Sequence, residues 1–437
     1  MSIWSGDNLR TYFSFVVVAF FLTFVFVDGV LQEITENRTS KQKIDFPDFS
    51  HYNGNFVNNI PDSLLPIDDR GKRIIAIGDI HGMNSSLTDL LDEIHYDSER
   101  DSLIHVGDLV TRATIHDSID VLSFMSSNRI LGVRGNNDQK VIEWRAWMNW
   151  ILSLPGGQEW LSVMDKRWPN LDGDKRLQRA ELEKWVETSK YASWKKMVPA
   201  GWYPLGKHYR VARAMSPGLF EYLSSLPLVL HSPTGHMVFV HAGLLSSHPK
   251  LQASDPRQPL SHWPTMDGQH DIAKLRDQQE LAVLTEIPEN KDSWTVTNIK
   301  SVTDKGLVSP SPRKGTPWSQ LWNDTMSKCS GHSGEAYQPT SLPCYPFTVI
   351  YGHAASRGLD IKRWSIGLDS GCSYAGGCQL LSSTKALSLL LHTNSETTYV
   401  YEPLNHKKST SETMDKRASL AYHVHNYLTN SSFSFLP

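Results

Sequence analysis

The feature that most restricts this chain is a short β-branched run ending in glycine and a polar residue, which recurs. Ile74-Ile75-Ala76-Ile77 leads into Gly78-Asp79, and Ser102-Leu103-Ile104-His105-Val106 leads into Gly107-Asp108. Arg129-Ile130-Leu131-Gly132-Val133 leads into Arg134-Gly135-Asn136-Asn137-Asp138. Runs this short and apolar read as buried strands. From Asn84 onward, Leu87, Leu90, Leu91 and Ile94 recur at helical spacing, with Ser85 or Ser86 as the expected N-cap. Residues 118–125 read as a second helix. This strand–helix alternation is the grammar of an α/β sheet, which collects its ligands at the carboxyl ends of its strands.

Later strands repeat the design. Met237-Val238-Phe239-Val240 runs into His241-Ala242-Gly243, and Phe347-Thr348-Val349-Ile350-Tyr351 runs into Gly352-His353. Residues 364–369, 386–392 and 397–401 complete the strand-like set. Five strand ends therefore present Asp79 and His81, Asp108, Asn136, His241 and His353. Carboxylate and amide oxygens mixed with imidazole nitrogens suit Zn²⁺, Mn²⁺, Co²⁺ or Fe²⁺, with zinc favoured. One carboxylate can bridge two such ions about 3.5–4 Å apart, a pair suited to in-line attack on phosphorus. Taken singly, Asp79 and Asp108 could be helix caps and His241 a core histidine. The ordered series favours ligation.

Gly78-Asp79-Ile80-His81-Gly82, Gly107-Asp108-Leu109-Val110-Thr111-Arg112, Gly135-Asn136-Asn137-Asp138, His241-Ala242-Gly243 and Gly352-His353 resemble, in order, the motifs of calcineurin-like metallophosphoesterases. Within them the chain is similar to the branch shared by PPP-type protein phosphatases and bacterial diadenosine tetraphosphatases. Pro317-Trp318, Leu321-Trp322-Asn323 and the run from Gly367 to Cys372 add to this. With its amino-terminal segment it is most similar to the fungal vacuolar endopolyphosphatase group. The resemblance covers roughly residues 72–395. It implies a four-layer α/β/β/α sandwich in which Asp79 and His81 hold one metal and Asp108 bridges. Asn136, His241 and His353 would hold the second metal, Arg112 would clamp the phosphoryl group, and Arg134 would assist or serve structure.

One position departs. The family pattern there is Gly-Asn-His-Asp or Gly-Asn-His-Glu, in which the histidine is the general acid and the acidic residue orients it. Here Asn137 precedes Asp138, and an amide has no titratable proton. General acids contribute about 10²–10⁴-fold. Esters with poor leaving groups should suffer most from the loss and phosphoanhydrides least. This favours polyphosphate over phosphoprotein, unless an unassigned histidine takes the role. A dinucleoside polyphosphate hydrolase, a protein phosphatase and a metal-binding pseudoenzyme that anchors partners are the alternatives.

The rest of the chain sets the context. Residues 11–27 are seventeen uncharged, mostly apolar residues preceded by Arg10 and followed by Asp28 and Glu33. They read as a transmembrane signal anchor, with a cleaved signal peptide as the alternative. The flanking charges leave residues 1–10 cytosolic and the remainder lumenal, a single-pass type II arrangement, and the resemblance implies the vacuole as the membrane concerned. Residues 28–70 read as a stalk, 71–403 as the metallophosphoesterase domain and 404–437 as a disordered tail. Within the domain, 139–225 is a helical insert rich in tryptophan, and 246–312 is a long polar insert with weak secondary-structure signals. Residues 166–213 carry twelve Lys/Arg against five Asp/Glu, a charge of about +7 on a chain whose net charge is −3. Such a cluster concentrates polyanions; a plain solvated face is the alternative, and no nucleic acid is expected as partner. Cys329, Cys344, Cys372 and Cys378 suit two local disulfides, 329–344 and 372–378, or else four buried thiols. Asn37, Asn323 and Asn430, and also Asn84, stand in glycosylation tripeptides.

Overall fold

The computed structural model describes residues 19–20, 23–27, 45–50, 56–67, 69, 71–169, 175–252, 255–264, 271–331, 341–369, 388–392 and 398–401. Two sheets dominate it. One has five strands in the order β14-β13-β2-β3-β4, built from β2 (Arg73–Ile77), β3 (Asp101–His105), β4 (Leu131–Gly132), β13 (Ser388–His392) and β14 (Thr398–Tyr401). The other has six in the order β1-β5-β6-β10-β12-β11. Its members are β1 (Val57–Asn59), β5 (Val229–Ser232), β6 (Met237–Val240), β10 (Thr348–Tyr351), β11 (Asp360–Lys362) and β12 (Ser365–Gly367). A small third sheet joins β7 (Ser301–Val302), β8 (Val308–Ser309) and β9 (Thr316–Pro317).

Strand alternation decides the layering. Ile74 and Ala76 of β2 point into the same apolar cluster as Phe239 of β6 and Ile350 of β10, so this cluster lies between the sheets. Ile75 and Ile77 face the other way, into a cluster of helices. Val238, Val240, Val349 and Tyr351 likewise turn outward to a second helical layer. The result is the expected α/β/β/α sandwich.

The first helical layer holds α1 (Asn84–Glu93), α2 (Ile115–Ser127), α3 (Asn136–Ser153), α4 (Gly157–Arg167), α5 (Lys175–Thr188), α6 (Lys207–Ala214) and α7 (Pro217–Ser225). Helix α1 starts at Asn84 with Met83 as its N-cap, two residues before Ser85, and with no side-chain cap bond. The tryptophans here are core. Trp144, Trp147, Trp160 and Trp168 are buried, and Trp150, Trp185, Trp194 and Trp202 pack against them. Trp147 meets Trp144 and Trp160 edge-on at centroid distances of 5.1 and 5.7 Å. Such pairs add about 0.5–1.5 kcal/mol each beyond burial.

Two regions differ from the sequence reading. Part of the expected stalk belongs to the folded body: Phe46 and Phe49 pack on Trp150, and Phe49 also packs on Trp202. β1 extends the six-stranded sheet by pairing parallel with β5, and Ile60 and Leu65 are buried between the sheets. A few large side chains bind this segment despite its polar average. The long polar insert is also structured. It contains α8 (Ile272–Glu286), capped by the Asp271 carboxylate accepting from the Ala273 and Lys274 N–H groups, and α9 (Ser293–Asn298). Periodicity was weak because two of the side chains α8 buries, Gln279 and Glu280, are polar. α10 (Trp318–Met326) completes this layer.

Cys329 and Cys344 form a disulfide. Cys372 and Cys378, Asn37, Asn430 and residues 404–437 lie outside the described residues. Residues 19–20 and 23–27 of the apolar run are helical, with Phe20, Phe24 and Phe26 exposed; the rest of the run is not described. Among the described residues no helix is long and apolar enough to cross a membrane. Asn323 differs from expectation. Its Nδ2 donates to Ser319 O and Ser365 Oγ, both at 2.8 Å, and its Oδ1 accepts from Trp364 N at 2.8 Å. A glycan on that nitrogen would break bonds that hold α10 to β12.

Glu280 fastens α8 to the six-stranded sheet. Its carboxylate accepts from His231 at 2.8 Å and His236 at 2.9 Å, and Arg276 lies 3.2 Å away. Burial pushes its carboxyl up, but the hydrogen bonds and charges of the two histidines outweigh that and hold it below its ordinary value of 4.5. A depressed carboxyl stabilises the fold above its unfolded value and loses that contribution as pH falls through the folded value. Urea midpoints should therefore drop as pH falls below about 4.5, and Glu280→Gln should flatten that part of the profile. An identical profile in the variant would refute the assignment.

Candidate metal centre

The carboxyl ends of β2, β3, β6 and β10 and the start of α3 converge on one point. Asp79 and His81 follow β2, Asp108 follows β3, Asn136 opens α3, His241 follows β6 and His353 follows β10. The side chains of Asp79, His81, Asp108 and His241 are buried. Ligand atoms of Asp79, His81 and Asp108 all lie within 4.8 Å of one another.

Asp108 stands in the middle. Its Oδ2 is 3.7 Å from His81 Nε2, and its Oδ1 is 3.6 Å from His241 Nε2. His81 Nε2 is in turn 3.8 Å from Asp79 Oδ2, and His241 Nε2 is 3.0 Å from Asn136 Oδ1. The His241 and His353 rings stand 5.0 Å apart. One carboxylate therefore faces two donor groups, one with each oxygen. Placing it there strains the backbone: His81, Asp108 and His353 sit at φ of 53°, 52° and 64°. Such conformations cost about 1–3 kcal/mol each and persist where surrounding bonds fix them. Here the His81 N–H donates to Asp108 O at 2.7 Å, and the His353 N–H donates to Asp79 Oδ1 at 3.0 Å. Gly135 is required for a related reason, because a Cβ there would collide with the backbone nitrogen and carboxylate of Asp108.

The electrostatics fit a cation. Burial, then the charges of Asp369 and Asp108, push the Asp79 carboxyl well above its ordinary value. Asp108 is held down to about 2: burial opposes ionisation, but His241, His81 and the Asn137 N–H overcome it. Burial keeps the His81 imidazole below its ordinary value, assisted by the Arg112 charge against the pull of Asp108. His353 is lowered by burial, His241 and Lys300. Imidazoles kept neutral are ready ligands, and a carboxyl pushed up by burial and crowded negative charge is one that a divalent ion would return to its ionised form. The residues fit a metal.

Asp369, two residues past the end of β12, belongs to this cluster through its side-chain hydrogen bond with Asp79. The sequence offered the signal, a strand running into Leu-Asp, but not the partner. Arg112 is exposed at the rim. Arg134, for which the sequence leaves assisting at the substrate and serving structure both open, is 1% exposed and donates to Gln139 Oε1 and Ser224 O. Its donors face the protein, which gives it the structural role. Asp138 does not reach a side chain at position 137. It accepts from the Leu109 N–H at 3.0 Å and the Gly135 N–H at 2.9 Å, fixing the two ligand loops together. Burial, then the charge of Asp108, raise it to about 7.

Fold and donor set define a metallophosphoesterase. The family model of calcineurin-like phosphoesterases matches residues 72–353, and the chain belongs to that family. It is 34% identical over 91 residues to serine/threonine-protein phosphatase 1 of Salmonella typhimurium, covering 21% of this chain and 41% of that protein. It is 26% identical over 315 residues to the symmetrical bis(5'-nucleosyl)-tetraphosphatase of Proteus mirabilis, covering 69% and 90%. The chain thus spans under half of the first relative and most of the second. Among solved structures it is similar to a putative diadenosine tetraphosphatase at 18% identity and a TM-score of 0.42, covering 81% of this chain and all of that one.

Metal-stripped protein should gain stability from added Mn²⁺ or Zn²⁺, by about 2.7 kcal/mol at a hundredfold excess over the dissociation constant. Asp79→Asn should raise the thermal midpoint of the stripped protein by relieving repulsion, while shrinking its response to metal. A midpoint that falls in the stripped variant would contradict the charge argument.

Proposed function

We propose that the protein hydrolyses phosphoanhydride bonds with two divalent ions, acting within inorganic polyphosphate chains. The observation that carries the two-metal reading is the placement of Asp108, whose two oxygens face separate donor groups. Asp79 and His81 would hold one ion, Asn136, His241 and His353 the other, with Asp108 between them. When bound, the ions supply Lewis-acid neutralisation of the phosphoryl oxygens. Arg112 offers the substrate a planar guanidinium suited to two phosphate oxygens at once. Asp138 and Gly135 keep the ligand loops in register.

The polyphosphate reading draws support from the basic insert, which comes to the site. Lys207, at the start of α6, donates to the carbonyls of Arg112 and Ala113, so a cation of the insert stands beside the clamp arginine. A vacuolar, lumenal setting is supported by the Cys329–Cys344 disulfide, which suits an oxidising compartment. Exposed Phe20, Phe24 and Phe26 support a membrane-facing amino-terminal helix. A second reading, hydrolysis of dinucleoside polyphosphates, is favoured by the alignment along 90% of the Proteus tetraphosphatase.

Purified protein with Mn²⁺ or Zn²⁺ should shorten long polyphosphate to intermediate lengths and release little nucleotide from diadenosine tetraphosphate. The reverse preference would move the assignment to the second reading. Asp108→Asn should lower turnover on the order of 10³-fold, several kcal/mol of lost charge stabilisation. Bound metal with no turnover of any phosphate compound would make the chain a pseudoenzyme.

A further inference from the structure

Asn137 leaves the hydrolytic step without an evident proton donor, yet its side chain is not idle. Its Nδ2 lies 2.6 Å from Asp108 Oδ2 and its Oδ1 lies 2.9 Å from Nε2 of His208. A carboxylate only accepts, so the amide nitrogen must face Asp108. The amide oxygen only accepts, so His208 must carry a hydrogen on Nε2. The two neighbours thereby fix the amide orientation and aim an imidazole N–H at the edge of the metal centre. The other histidines there, His81, His241 and His353, belong to the donor set. Asp138 accepts two backbone N–H groups.

His208 is held by a rigid element. Beside it on α6, Tyr209, Arg210, Val211 and Ala212 are buried, and the Tyr209 ring meets Trp144 at 5.2 Å. Arg145 of α3 donates to Ala212 O and Met215 O, both at 3.0 Å, at the far end of the helix. Lys207 ties the near end to the Arg112 loop.

We propose that His208 donates the proton to the leaving oxygen, with Asn137 as its positioning residue. This rests on the hydrolase reading above. Water attacks phosphorus and the P–O bond to the leaving group breaks, its electron pair passing to the leaving oxygen. The imidazolium of His208 transfers its Nε2 proton to that oxygen, which takes the place of Asn137 Oδ1 as acceptor. The neutral ring then regains a proton from solvent, and the attacking water releases one. A proton source widens the substrate range to esters whose leaving groups are poor, which Asn137 alone would disfavour.

The test compares leaving groups on the full chain with Mn²⁺. Phenyl phosphate leaves as a basic phenolate and needs a proton; 4-nitrophenyl phosphate leaves as a stable anion and hardly does. His208→Gln keeps a donor for Asn137 Oδ1 but has no proton to transfer. It should lose 10²–10⁴-fold on phenyl phosphate and less than about tenfold on 4-nitrophenyl phosphate, with metal content unchanged. Adding Asn137→His to that variant should restore phenyl phosphate turnover by at least about tenfold, since imidazole returns to the same place. An equal loss on both esters, or no loss on either, overturns the assignment while leaving the hydrolase reading intact. Wild-type protein that binds metal but hydrolyses neither ester nor polyphosphate overturns both. If His208→Gln does not fold, His208→Asn under the same comparison decides the matter.

Discussion

The structure is organised around one buried carboxylate. Asp108 is taken out of water, held in a left-handed backbone conformation and kept ionised by the Asn137 N–H and flanking imidazoles. An isolated ionised carboxylate in such a place would be costly by several kcal/mol, so its surroundings must supply positive charge and donors. They come from both sheets. His81 arrives from β2, Asn136 and Asn137 from the start of α3, and His241 from β6 of the opposite sheet. The sandwich brings groups more than a hundred residues apart to the two oxygens of one side chain.

This dependence explains why so much of the centre could be read from the sequence. Each donor sits at the carboxyl end of a short apolar strand, and a strand–glycine–polar pattern is local and visible. The strands by themselves indicated an α/β sheet; the four-layer arrangement came from the family resemblance, and the opposite facings of Ile74 and Ile75 bear it out. What stayed hidden was contact between elements distant in sequence. Asp369 carried the right local pattern but only the fold places it against Asp79. His208 stands in no motif, within an insert marked by its charge and tryptophans. Arg134, beside a motif, could be read as a substrate residue or a structural one, and its bond to Ser224, ninety residues away, favours the structural reading. The long polar insert hid α8 because the buried face of that helix includes a carboxylate satisfied by histidines from another element.

The basic, tryptophan-rich insert faces two ways. Its aromatic side extends the core of the first helical layer and packs against Phe46 and Phe49. Its other end, at Lys207 and His208, meets the Arg112 loop and Asn137 at the edge of the donor cluster. The rigidity of the first sets the precision of the second, because α6 is both the wall of the aromatic core and the carrier of the groups at the rim. Under the role proposed for His208, a change in the aromatic core far from the donor cluster would act on turnover without touching metal binding.

β1 and the segment around it carry a practical consequence. The family match begins at residue 72, but β1 covers the edge of β5, and Ile60 and Leu65 fill space between the sheets. A shortened chain cut at the family boundary would bare an unpaired strand edge and open a void in the core, inviting edge-to-edge association. The soluble unit for expression therefore starts upstream of Phe46, and homology alone would place that cut in the wrong position.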